Sequence, residues 1–316
     1  MRFVQAMIPA RDCFEPEGLE IDGTRLRVAR FTADPARAPR GLCVLLNGQT
    51  EFIEKYFEVI DELRGRGFGV AAMDWRGQGG SGRLVASRPL AVHIEDFAQY
   101  DADLSAFMDR FVAPLLGNGQ RPIAVAHSMG GHILLNYLNR NPERFAATAF
   151  SAPMVKFSTR QQPQWLVHMV TAVMMLAGRS RDFVWGIAVR DPLTMTFERQ
   201  IVTSDPARFQ RAKDFLMRHP DLRSAGPTWG WVAAAYKASA RFVGPGFAEK
   251  ISTPALIMAA GRDRVVISKA AKNFTQRMPA SIYHRIEGAE HEILMERDVF
   301  REEFWQAFDA LMAKHV

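Results

Sequence analysis

Residues Ala126-His127-Ser128-Met129-Gly130-Gly131 follow a short apolar run, Ile123-Ala124-Val125, and precede a stretch of helical character. Ser128 therefore sits where a strand ends and a helix begins, which is where a nucleophile elbow is built. So tight a turn leaves little room two residues to either side of the serine, and those positions hold the small residues Ala126 and Gly130. The turn lifts the serine hydroxyl above the sheet edge. It also puts the backbone N–H of Met129 at a helix N-terminus, pointing toward negative charge as it develops.

Two more strand ends supply partners. Ala255-Leu256-Ile257-Met258-Ala259-Ala260 runs into Gly261-Arg262-Asp263, so Asp263 falls just past a strand's C-terminal end. The strand-like run Ser281 to Ile286 leads through Glu287-Gly288-Ala289-Glu290 to His291. Serine, then acid, then histidine is the chain order of the α/β-hydrolases and differs from the two other common serine-protease orders. The expected triad is Ser128, Asp263 and His291. As an alternative, Asp263 would simply pair with Arg262 or Arg264, but its place after Gly261 at a strand end favours catalysis. Glu287, Glu290 and Glu292 read as solvated loop residues, and His127 as a structural neighbour in the elbow. His291-Glu292 opens like a zinc-protease helix, yet position 295 is Met rather than the second His, so no metal is expected.

Gly77-Gln78-Gly79-Gly80-Ser81-Gly82 satisfies the G-x-G-x-x-G pattern of dinucleotide-binding proteins. That fingerprint needs a helix to open at the last glycines and meet the pyrophosphate. Here Arg83 to Pro89 intervenes, with no helical period before about Ile94. The glycines read instead as a loop that lets Asp74, Trp75 and Arg76 pack near the site, and no organic cofactor is expected.

Helical and strand periods alternate through the chain. Tyr56, Ile60 and Leu63 mark one helical face, and Phe97, Tyr100, Leu104, Phe107 and Phe111 another. Near-continuous apolar strands lie between them, which predicts an α/β fold with a mostly parallel central sheet and helices on both faces. Leu19 to Phe31 reads as an antiparallel edge, and a last helix with Phe304, Trp305, Phe308 and Leu311 closes the sheet. No repeat or low-complexity tract is present. Ser128 and Asp263 are farther apart than one strand and two helices require. The excess predicts a helical cap at 153–245 inserted before the triad acid, with the core made of 1–152 and 246–316.

Within that insertion, the run from Trp165 to Ala177 is shorter than the ~20 apolar residues that span a bilayer. It reads equally as the lining of an acyl pocket, a membrane contact or ordinary core. A second segment carries Phe209, Ala212, Phe215 and Leu216 on one face, with Arg208, Arg211, Lys213 and Arg218 elsewhere as a solvated basic side.

With 316 residues, 48% of them hydrophobic, the chain can build a large core. The two cysteines show no metal-ligand spacing, and Cys43 reads as a buried small residue. The net charge of +6 suits peripheral contact with an anionic membrane. Nucleic acid is not an expected partner, because the basic residues are dispersed. The stretch Met1 to Pro9 is too short in its apolar part for a secretory signal, so a cytoplasmic location is expected.

Taken together, Asn47-Gly48-Gln49-Thr50-Glu51, Tyr56, Asp74-Trp75-Arg76-Gly77-Gln78-Gly79, Ser81-Gly82-Arg83 and the elbow itself resemble the bacterial lysophospholipase and monoacylglycerol-lipase branch of the α/β-hydrolases. The resemblance covers nearly the whole chain and is weakest between Pro153 and Gly246. It implies that the loop after the strand Leu42 to Leu46 supplies a second oxyanion donor, the backbone N–H of Gln49, beside that of Met129. Many relatives have His-Gly where this chain has Asn47-Gly48. Because the donor is backbone, the change is expected to alter how the loop is braced rather than the hole itself. The implied substrate is a mono-acylated ester lipid, a lysophospholipid or a monoacylglycerol. Two alternatives use the same residues: a carboxylesterase or thioesterase for small soluble substrates, and a ligand-binding receptor on a hydrolase scaffold. Dehalogenases and epoxide hydrolases are disfavoured because their elbow nucleophile is an aspartate.

Overall fold

The computed structural model describes residues 9–159, 162–185 and 191–316. The N-terminal stretch discussed above as a possible signal lies almost wholly outside them. In chain order the strands are β1 (Glu17–Ile21), β2 (Thr24–Phe31), β3 (Gly41–Leu46), β4 (Phe68–Met73), β5 (Ala91–Val92), β6 (Ile123–His127), β7 (Thr148–Ser151), β8 (Gly226–Pro227), β9 (Ala255–Ala260) and β10 (Ser281–Ile286). The helices are α1 (Phe57–Arg64), α2 (Ala98–Phe107), α3 (Ser128–Arg140), α4 (Gln164–Leu176), α5 (Pro206–Arg218), α6 (Trp229–Val243), α7 (Ser268–Thr275) and α8 (Asp298–His315).

Eight strands form one sheet in the order β1-β2-β4-β3-β6-β7-β9-β10. The pairs β1/β2 and β2/β4 are antiparallel, and every later pair is parallel. In β4, β6, β7 and β9 the apolar runs are continuous rather than alternating because both faces are covered. Along β3, Val44 and Leu46 enter a core shared with α2, α3, α6 and α7. Cys43 and Leu45 point the other way, into a core with α1 and α8. Each large apolar side chain so buried stabilises the fold by about 1.5–3 kcal/mol, so the period-2 split pins the register of every central strand.

The chain winds outward from β3 to β4 and then returns to β6 on the other side. The crevice between β3 and β6 at the strands' carboxyl ends is therefore the topological switch point where α/β sheets bind ligands. The loops after β3, β6, β9 and β10 all open at that end. Between β7 and β9 lie α4, α5 and α6, and the short β8 pairs with β5 in a separate two-stranded ribbon. Among the described residues, no helix is long and apolar enough to cross a membrane.

Candidate active site

Strand β6 ends at His127 and α3 begins at Ser128, with no residue between them to absorb the change of direction. Ser128 takes up the turn itself with φ +48°, a left-handed conformation that costs a non-glycine residue roughly 1–2 kcal/mol. Gly130 shows why the turn tolerates no bulk: a Cβ there would lie 2.5 Å from the carbonyl oxygen of Asn47 and 2.6 Å from that of Leu46. The elbow and the loop after β3 are thus in backbone contact.

Ser128 Oγ lies 2.9 Å from His291 Nε2, and His291 Nδ1 lies 2.7 Å from Asp263 Oδ2. A carboxylate only accepts, so Nδ1 carries the proton and Nε2 is left to accept from the serine hydroxyl. The other Asp263 oxygen accepts from the N–H groups of Val265 and Val266, both at 2.8 Å. Burial alone would raise the Asp263 carboxyl. His291 and the two amides outweigh it and hold the group below its ordinary value. For His291, burial works against the cation, but Asp263 prevails and the imidazole is raised. The arrangement can take a proton from Ser128 and stabilise the resulting imidazolium. Asp263 makes its ion pair with His291, whereas Arg264 pairs with Glu290.

Gln49 and Met129 both line the cavity above Ser128. Met129 is in the first turn of α3, where N–H groups have no intrahelical acceptor. On either side of Gln49 the amides are occupied: that of Gly48 donates to Glu51 Oε2, and that of Thr50 to Gln78 Oε1 at 2.5 Å. The loop is further fixed by Trp75, whose Nε1 donates to the Asn47 carbonyl at 2.9 Å, and by Asn47 Nδ2, which donates to the Met73 carbonyl at 3.2 Å. Asn47 therefore braces its loop against the end of β4.

The glycine-rich stretch that mimics a nucleotide loop wraps a carboxylate instead. The Gly80 amide donates to Asp74 Oδ2 at 2.8 Å, and a Cβ on Gly79, where φ is +51°, would collide with the same carboxylate. Asp74 in turn binds Arg27 and accepts from the Ile53 amide at 2.9 Å. Burial lifts its carboxyl to about 6 despite Arg27.

Under the site is a buried ionic cluster that the sequence reading did not assemble. Lys55 Nζ lies 2.7 Å from Glu51 Oε1 and 2.6 Å from Glu292 Oε1, and the Tyr56 hydroxyl donates to Glu51 Oε2 at 2.7 Å. Burial opposes the Glu51 charge, but Lys55 outweighs it and holds the carboxyl below its ordinary value. Glu292 is consequently not a solvated loop residue. It faces inward, directly after His291, and joins the histidine loop to the loop that carries Gln49. Glu287 is exposed, as expected. The usable signal was the Glu51-Lys55 spacing of four residues; Glu292 lies 237 positions from Lys55. His127 Nδ1 sits 3.0 Å from the Ser151 carbonyl oxygen, and burial lowers its imidazole to about 4, leaving it neutral beside His291.

On the basic side of α5, Arg211 and Arg218 are exposed, as the solvated reading expects, but Arg208 is largely covered. Arg208 reaches Glu58, Asp205 and Asp298, and Arg211 reaches Glu58. These pairs fasten α5 to α1 and α8. The run in α4 is not ordinary core: Thr171 and Met174 are buried, whereas Trp165, Met169, Val173 and Leu176 are exposed, with Leu176 at 90%. Spaced by three and four residues, these four share one helical face.

The cavity over Ser128 has a volume of about 1320 Å³, and its walls include Phe157, Val167, Trp185, Phe209 and Leu216. Among the described residues, no group of three or more His, Cys, Asp or Glu side chains is arranged to hold a metal ion.

Residues 37–298 match the Hydrolase_4 family, described as serine aminopeptidase, S33. The chain belongs to this family. Lysophospholipase L2 of Escherichia coli strain K12 is 32% identical to this member over 295 residues, covering 91% of this chain and 84% of the relative. Monoacylglycerol lipase of Mycolicibacterium smegmatis is 25% identical over 277 residues, covering 86% and 88%. A solved monoglyceride lipase from Saccharomyces cerevisiae superposes with a TM-score of 0.79 at 20% identity, covering 99% of this chain and 97% of that one. That likeness establishes the α/β-hydrolase fold.

Proposed function

We propose that this Hydrolase_4 member is a serine hydrolase that cleaves the carboxylic ester of a mono-acylated lipid, a lysophospholipid or a monoacylglycerol. The observation that carries the reading is the Ser128–His291–Asp263 relay opening into a 1320 Å³ cavity, which exceeds the ~300–1,000 Å³ usual for small-molecule sites. A small soluble ester would leave most of it empty. The named activities of the Escherichia coli and Mycolicibacterium smegmatis relatives point the same way.

In this mechanism His291 takes the Ser128 proton as Oγ attacks the ester carbonyl, while Asp263 keeps the imidazole in its working tautomer. The N–H groups of Gln49 and Met129 receive the oxyanion. The protonated histidine gives its proton to the leaving glyceryl oxygen. Water, deprotonated by the same histidine, then attacks the acyl-enzyme and releases the fatty acid.

An aminopeptidase, the activity in the family's description, would need a carboxylate free to meet an α-ammonium group. The carboxylates lining this cavity are engaged: Glu51 and Glu292 by Lys55, and Asp191 by Arg223. We read 153–245 as a cap over the site. The location is read as cytoplasmic, with the exposed stripe of α4 resting on an anionic membrane surface. Trp185, 69% exposed, and the exposed Arg179 and Arg181 suit that contact.

The test is mass-spectrometric product release from a panel of lysophospholipids, monoacylglycerols and short soluble esters, comparing the native chain with Ser128→Ala. Rapid, Ser128-dependent fatty-acid release from the lipids is expected. Turnover confined to short esters would make the protein a general carboxylesterase, and no Ser128-dependent turnover would leave a binding protein.

A further inference from the structure

The charges that line the cavity are not evenly matched. Lys55 meets Glu51 and Glu292, Arg208 meets Glu58, Asp205 and Asp298, and Arg264 meets Glu290. Two lining cations, Lys213 and Arg199, have no carboxylate partner among the described residues. Half-buried Lys213 donates to the carbonyl oxygen of Met195 at 2.8 Å, a contact that orients an ammonium without neutralising it.

The two cations share a wall. The Phe197 and Phe209 rings are 5.8 Å apart and Lys213, one helical turn beyond Phe209, holds the Met195 carbonyl, so Met195 and Phe197 lie against α5; the chain then turns, the exposed Arg199 donating its amide to the Thr196 carbonyl at 3.2 Å. Three residues after Arg199, the Val202 carbonyl accepts from the Glu292 amide at 2.7 Å, beside His291. Three extended residues span at most about 10 Å, so the backbone of Arg199 is tethered that close to the histidine loop.

We infer that Lys213 and Arg199 form a subsite for a phosphate-bearing head group, which selects a lysophospholipid over a monoacylglycerol. The inference rests on the ester-hydrolase reading and deepens it. In a lysophospholipid the phosphate is separated from the acyl ester only by the glycerol carbons. One molecule can therefore present its ester to Ser128 and its anion to this wall. A neutral glycerol head gives the two cations nothing to pair with.

The experiment measures the ratio of kcat/KM for palmitoyl lysophosphatidylglycerol to that for 1-palmitoylglycerol, in the native chain, Lys213→Met with Arg199→Met, and Lys213→Arg. The double variant is expected to lower the ratio by about tenfold or more, through KM for the phospholipid, and Lys213→Arg to preserve it. A ratio unchanged in the double variant, or lowered equally by Lys213→Arg, would overturn the inference. A second arm needs no turnover: binding of glycerol 3-phosphate to Ser128→Ala protein, with and without the two Met substitutions, by calorimetry. At least tenfold weaker binding in the substituted protein is expected, and equal binding would overturn the subsite. Should neither lipid be hydrolysed, the ester reading falls and the calorimetry alone decides the subsite.

Discussion

Replacing Lys55 with methionine preserves the length of the side chain and removes the cation that bridges Glu51 and Glu292. Both carboxylates lie within 2.7 Å of that ammonium, and both are nearly shielded from solvent. Without it they face one another at about 5 Å, which at the effective dielectric of a protein interior is about 3 kcal/mol of repulsion. Removing one partner of a buried ion pair costs about 3–5 kcal/mol, in line with that figure. One carboxyl should then hold a proton well above its ordinary pKa. A folded-state pKa raised in this way penalises the fold above that pKa and relaxes the penalty below it. Lys55→Met should therefore lose more stability at pH 7.5 than at pH 5, read as the shift in urea midpoint by tryptophan fluorescence. The damage should also reach catalysis, because Glu51 holds the Gly48 amide beside Gln49, and Glu292 adjoins His291. A displacement near 1 Å in such a site costs about 10²-fold in rate, so kcat on a lipid ester should fall by about that factor. A stability loss under about 1 kcal/mol with kcat nearly unchanged would show that Lys55 does not hold the two carboxylates together.

Other outcomes follow from the same geometry. His291 must be neutral to accept the serine proton, and Asp263 raises its pKa, so the acid limb of kcat/KM should lie above the ordinary imidazole value of about 6.5. Asp263→Asn should move that limb to lower pH while cutting kcat by about 10⁴-fold, both read from pH–rate profiles. Gly130→Ala would press a methyl group against the Asn47 carbonyl and displace the loop that carries Gln49, the proposed oxyanion donor, so kcat should fall by about 10²-fold or more in steady-state assays of folded protein. Trp165→Ser with Leu176→Ser strips two exposed apolar residues from the α4 stripe. Sedimentation with anionic vesicles should show at least about tenfold weaker binding, given about 1.5–3 kcal/mol for each buried side chain, with turnover of a water-soluble short ester unaffected.

Much of the frame was legible in the sequence for a physical reason. Strands covered on both faces must be apolar throughout, so β4 and β9 appear residue for residue as uninterrupted runs, while the more exposed edge strand β10 is legible only as a strand-like segment. Ser128, Asp263 and His291 were locatable because each follows such a strand, and the sheet brings strand ends together. What sequence did not reveal depends on contacts between distant segments. Nothing local marks Glu292 as the partner of Lys55, and an acidic residue in a loop that also carries Glu287 and Glu290 looks solvated until the fold places a cation against it. Arg208 looked like part of a solvated basic face for the same reason, since Glu58 lies about 150 positions away. The α4 run shows the reverse limit. Its composition was apolar, but which residues are covered was set by α6, and the stripe from Trp165 to Leu176 was left uncovered.

The most direct test of the central claim is labelling with a fluorophosphonate that carries one long alkyl chain, followed by peptide mass spectrometry and a competition series with lysophospholipid. One adduct per chain is expected, on Ser128, that forms more slowly as lysophospholipid is added and is absent from Ser128→Ala. Adduct formation at another residue, or unmodified Ser128 in protein that still releases fatty acid, would contradict it.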